Sequence, residues 1–106
     1  MSRPAAKKEQ STSGVYQLKL YFAAGSPHSV QAIYNLQQIC RKHLGGAYKL
    51  ALIDVLREPA RALRDEVLVT PTLVMVSPEP GAILIGDLSP TAAVLDALGL
   101  IQRGAE

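Results

Sequence analysis

The sequence predicts one small α/β domain, a mixed sheet with helices on its faces, in the order βαβαββα. Three observations predict it. Tyr16, Leu18, Leu20 and Phe22 alternate with Gln17, Lys19 and Tyr21, the period-two pattern of a strand. A second apolar run over residues 50–53 follows one helix-like stretch later. That spacing makes a βαβ unit, with parallel strands and a right-handed crossover. Finally, residues 67–76 are apolar almost throughout and rich in β-branched side chains, which fits a strand buried on both faces.

This last run also admits a second reading. Thr70 can cap a helix and Pro71 can be its first residue. Thr72, Val74 and Val76 favour the strand, because β-branched side chains lose freedom in a helix and pack well on a pleated surface.

In chain order, residues 1–14 read as a polar tail without periodicity, expected to be disordered and dispensable for the fold. The domain proper spans residues 15–100, and residues 101–106 form a short C-terminal tail. The first strand ends at Ala24-Gly25, where Ser26-Pro27 supplies a cap and a first-turn proline. The helix that follows should bury Val30, Ile33, Leu36 or Gln37, Cys40 and Leu44. Gly45-Gly46 stops it, with Arg41, Lys42 and His43 placed favourably in the last turn. Residues 48–55 form the second strand, closed by Asp54. Pro59 opens a short helix to about Asp65, with Ala60, Leu63 and Ala62 as inward candidates and Arg57, Arg61 and Arg64 on its solvated side. Ser77-Pro78-Glu79-Pro80-Gly81 is strong turn chemistry, so residues 72–85 should form a hairpin. Ser89-Pro90 starts a last helix over residues 91–98, with Gly99 as its C-terminal cap.

Composition narrows the function. The 106 residues suffice for one core of modest depth, and no stretch approaches a membrane span. No secretory leader is visible. The net charge of +2 is too small, and the basic residues too scattered, to imply nucleic acid. The single cysteine, Cys40, cannot form an internal disulfide, so the cytoplasm is the expected location. Cys40 and His43 stand three apart on one helix, but two ligands do not make a metal site, and no cofactor is expected. Tyr16, Tyr21 and Tyr48 could stack on bases, yet no RNA-binding motif accompanies them, and core or interface packing is the better reading. Gly25-Ser26-Pro27 before a helix could hold an anion, although a plain turn and cap explains it. Glu58, Asp65 and Glu66 make no convincing acid–base pair. Asp87 should stabilise the turn ahead of Ser89.

The predicted order resembles that of thioredoxin-like domains, in which a proline preceding the third strand is cis. The resemblance makes the Thr70–Pro71 bond a candidate for cis. It also places that fold's redox motif where this chain reads Ala24-Gly25-Ser26-Pro27-His28, without a thiol and without any Cys-x-x-Cys. Disulfide exchange needs a thiolate at the attacking position. A more specific resemblance runs from about Tyr16 to Leu98. Leu18-Lys19-Leu20-Tyr21, Gly25-Ser26-Pro27, Ser29-Val30, Ile53-Asp54-Val55-Leu56, Thr70-Pro71-Thr72-Leu73 and Ile85-Gly86-Asp87-Leu88-Ser89 fall in the order and spacing of the KaiB family.

That resemblance implies a non-catalytic clock protein. Its members dock on the ATPase and kinase KaiC, compete there with a sensor kinase whose input domain is thioredoxin-like, and recruit KaiA. It also implies two forms: a thioredoxin-like one that binds KaiC, and a resting βαββααβ form that assembles as homodimers and homotetramers. In the resting form Pro71 would start a helix and residues 94–98 would be a strand. Thr70, Pro71, Ala97 and Gly99 are therefore the expected fold-determining positions. Ala92, Ala93 and Ala97 favour the helix. Clock members commonly carry glycine at the position of Ala97 and an acidic residue at that of Gly99, and the alanine shifts the balance towards the helix by roughly 0.5–1 kcal/mol. Basic residues of clock members are replaced here at Gln31, Ala51, Glu66, Met75, Ala82 and Ile83. Tyr48 and Lys49 remain as candidate partner contacts, and the implied partner is a divergent KaiC-like ATPase. Two alternatives stand beside this. One is a thioredoxin-fold redox or glutathione-dependent protein acting through Cys40. The other is a small input or oligomerisation module that recognises a sensor kinase in trans.

Overall fold

The structure, a computed structural model, describes residues 15–100. The tails expected over residues 1–14 and 101–106 lie outside the described residues. The elements are β1 (Tyr16–Phe22), α1 (Pro27–Ile39), β2 (Tyr48–Asp54), α2 (Pro59–Arg64), β3 (Thr72–Ser77), β4 (Ala82–Ile85) and α3 (Thr91–Ala97). They build one four-stranded sheet in the order β2-β1-β3-β4. β1 and β2 run parallel in the register Tyr16 with Tyr48, as the βαβ crossover requires. β3 is antiparallel to both β1 and β4.

α1 and α3 supply the cover for one face of the sheet. Leu18, Leu20, Leu73 and Met75 from the strands meet Ala32, Leu36, Ile39, Cys40, Val94 and Leu98 in the main core. Each fully buried aliphatic side chain there contributes about 1.5–3 kcal/mol relative to exposure. The opposite face holds a smaller core of Tyr21, Ile53 and Ala62 under α2. The chain continues from α1 in a wider π-helical turn, Cys40–Leu44, before Gly45 ends it at φ +56°.

Several expectations are corrected by the packing. The run over residues 67–76 is a strand only from Thr72. Its first half crosses from α2 to β3 outside the sheet, with Val67 against the smaller core and Leu68 90% exposed. The Thr70–Pro71 bond is cis, and Pro71 starts no helix. The buried stripe of α1 is Ser29, Ala32, Leu36 and Ile39, whereas Val30 is 61% exposed. The register turns on Ser29, whose Oγ accepts the Ala23 N–H at 3.0 Å and so faces the strand end. Ala62 alone of α2 is buried, with Ala60 and Leu63 outside, because a helix this short offers one position to Tyr21 and Ile53. Pro90, not Ser89, occupies the cap position of α3. Ser89 instead donates its N–H to Asp87 Oδ1 at 2.9 Å, the stabilised turn expected of Asp87. Helix over Thr91–Ala97 makes this the thioredoxin-like arrangement and not the βαββααβ alternative.

Candidate functional site

Three regions bear on function: the loop into α1, the exposed edge at β2, and the joint between the two halves of the chain. In the first, Ser26 Oγ accepts the Ser29 N–H at 3.3 Å and caps α1, while Gly25 turns the chain at φ +86°. Together with the Ser29–Ala23 bond, these contacts use the loop's hydroxyls to tie the strand end to the helix start. The loop is built as a turn and cap.

Cys40, the residue on which a redox reading depends, has no exposed surface. Burial pushes its thiol up to about 11, since a thiolate there would be desolvated. At neutral pH it is a protonated core side chain. His43 is exposed one turn on, so the two do not face a common point. Among the described residues no group of three or more His, Cys, Asp or Glu side chains could hold a metal ion.

Tyr48 and Lys49 occupy edge strand β2 but point to opposite faces, as neighbours on a strand must. Tyr48 packs against the main core beside its register partner Tyr16. Lys49 is exposed and lines a shallow groove of about 220 Å³ with Gln17, Lys19, Ala51 and Val76. The structure therefore does not bring the pair together on one surface. Tyr21 is buried on the Lys49 side, so the three tyrosines form no stacking platform.

A cluster that sequence reasoning missed lies beside that groove. Asp65, just beyond α2, accepts a hydrogen bond from the Tyr21 hydroxyl and pairs with Lys19 Nζ at 3.0 Å. The hydrogen bonds from Tyr21 and then Lys19 hold its carboxyl below the usual aspartate range. Burial, then the Asp65 contact, pushes Tyr21 up to about 12. The signal was present in the alternation that puts Lys19 and Tyr21 on one face, but nothing local linked it to Asp65. Glu58 meanwhile pairs with Arg61 at 3.2 Å on the surface.

At the joint, the Pro71 carbonyl accepts the Gly86 N–H at 3.0 Å, and Thr72 Oγ1 donates to the Val69 carbonyl at 2.7 Å. Ala97 is exposed at the last position of α3. Gly99 follows at φ +77°, the left-handed conformation that ends a helix and favours glycine. Gln31, Glu66 and Ile83 are on the surface and Met75 is in the core.

The fold and this loop together define a thioredoxin-like domain with no thiol where that fold carries out disulfide exchange. Solved structures agree on the fold. Chloroplastic thioredoxin z is similar with a TM-score of 0.69 at 21% identity, covering 83% of this chain and 79% of that one. The N-terminal domain of Synechococcus elongatus SasA is similar with a TM-score of 0.68 at 21% identity, covering 93% and 97%. Sequence comparison is more specific. The family model described as "KaiB domain" matches residues 19–100. The circadian clock protein KaiB3 of Synechocystis sp. is 42% identical over 89 residues, covering 84% of this chain and 87% of the relative. The circadian clock oscillator protein KaiB of Thermostichus vulcanus is 46% identical over 88 residues, covering 83% and 82%. The chain belongs to the KaiB family of circadian clock proteins.

Proposed function

We propose that this chain is a non-catalytic regulatory protein that docks, in its thioredoxin-like form, on a KaiC-like ATPase and modulates its phosphorylation or signalling state in the cytoplasm. The observation that carries the reading is the combination of KaiB membership with helix, not strand, over Thr91–Ala97. That arrangement is the one the family resemblance associates with binding. It also implies competition with a sensor kinase of similar fold and, through the rearranged resting form, reversible assembly into dimers or tetramers.

Tyr48 and Lys49 are the contacts we assign to the partner. Both stand on an edge strand, so a partner gripping that edge reaches Lys49 on one face and the rim of Tyr48 on the other. Thr70, Pro71, Ala97 and Gly99 set the balance between the two forms. Fold-switched states differ by only a few kcal/mol, so single side chains matter. The departures at Gln31, Glu66 and Ile83 remove exposed positive charge that steers association, which favours a divergent partner over a standard clock KaiC.

The test is co-elution of the full chain with purified KaiC-family ATPases on size exclusion after long incubation. A stable complex that Lys49→Glu weakens at least tenfold is the expected result. No complex with any of them would overturn the reading.

A further inference from the structure

A second surface, on the helical side of the sheet and away from Lys49, is built to take an anion. Between the π-helical end of α1 and the start of α3 lies an open cavity of about 390 Å³. Gln38 and Ile39 line it from the end of α1, Arg41, Lys42 and His43 from the π-helical turn, and Thr91 from the start of α3. The wall is fixed. Asn35, also at the cavity, donates Nδ2 to the Asp87 carbonyl at 2.8 Å and accepts Gln31 Nε2 at 3.1 Å, so α1 is fastened to the corner that leads into α3.

The charge is not matched by the residues that line the cavity. The ion pairs of Lys19 with Asp65 and of Arg61 with Glu58 lie elsewhere and use neither Arg41 nor Lys42. No carboxylate lines the cavity either. Cations near a helix C-terminus gain from the dipole, but that effect does not require them to gather around a hollow. The π-helical turn is the second feature. It widens the helix where the three basic residues sit, and such turns are frequent at functional sites.

We propose that this cavity binds a multiply charged phosphate ligand, of the polyphosphate or nucleoside-triphosphate class. Two cations, Arg41 and Lys42, suit a ligand with at least two negative charges. The donors differ in kind and direction: a guanidinium fork, a point-charge ammonium, an imidazole, an amide and a hydroxyl. Donors on both sides of the cavity suit the tetrahedral oxygens of phosphate better than a planar carboxylate. This site is independent of the partner contact assigned to β2.

The experiment titrates the isotopically labelled full chain with inorganic tripolyphosphate and with ATP, following backbone amides by NMR. Saturable shifts confined to residues 38–43 and 91–93 are expected. The double variant R41Q/K42Q, with a native spectrum, should bind at least tenfold more weakly, while R57Q, at an exposed cation outside the cavity, binds as the unmodified chain does. Equal affinity for tripolyphosphate and ATP would mean that the phosphate chain alone is read, and tighter ATP binding that the nucleoside adds contacts. Either outcome supports the site. Non-saturating shifts, unchanged binding by R41Q/K42Q, or equal affinity for citrate would overturn it.

Discussion

The Tyr16 hydroxyl donates to the Leu98 carbonyl at 2.8 Å, joining the first residue of β1 to the end of α3 across 82 positions of sequence. The bond closes the C-terminal half onto the N-terminal half. Tyr16→Phe removes it without emptying the core. The expected cost is about 1 kcal/mol in chemical denaturation, and amide exchange in residues 94–100 should accelerate more than exchange in β1.

The Tyr21–Asp65–Lys19 cluster predicts how stability depends on pH. Asp65 has a depressed folded-state pKa, so its contribution is present above the ordinary aspartate range and is lost as pH falls through the folded value. Tyr21 is the opposite case. Its folded value is raised from 10.0 to about 12, so its contribution is complete below 10 and declines as pH climbs towards 12. Denaturation midpoints should therefore fall at both extremes. Asp65→Asn should flatten the acid limb and lower the neutral plateau, a result that equal losses at every pH would contradict.

Much of this molecule was legible before its coordinates. The strict alternation of residues 16–22 gave β1 with its ends, and the spacing to the second apolar run gave the parallel βαβ unit. Helical periodicity was less decisive. Positions 29–32–36 and 30–33–37 both make plausible stripes, and the choice depended on the Ser29 bond to Ala23, which composition does not announce. Val67, Leu68 and Val69 look like strand by composition, yet they are spent on a crossing, because Ala62 must sit under the sheet while β3 starts beyond Pro71. The two-residue period of β2 already places Tyr48 and Lys49 on opposite faces of the sheet.

Cys40 offers a direct check on the redox alternative. A fully buried thiol pushed up to about 11 is mostly protonated at neutral pH. Labelling of the native chain by a thiol reagent should be slow and should accelerate sharply in denaturant. Cys40→Ala should cost stability of the order of 1–2 kcal/mol from the space left in the core, with no effect on partner binding.

The balance between forms should respond to α3. Ala97→Gly is expected to weaken the helix by about 0.5–1 kcal/mol. Gly99→Glu places an L-residue at φ +77° and should cost about 1–2 kcal/mol more. The double variant should shift the population away from the thioredoxin-like monomer, seen as loss of helical shifts over Thr91–Ala97 and growth of larger species in sedimentation.

The central claim is that the chain acts by being held in its thioredoxin-like form and not by turning over a substrate. Backbone NMR of the labelled chain with a stoichiometric KaiC-family ATPase tests it most directly. The account predicts a complex in which Thr91–Ala97 keeps helical secondary shifts and the signals of β2 around Lys49 are perturbed. A complex in which that segment reads as strand, or the absence of any complex, would contradict it.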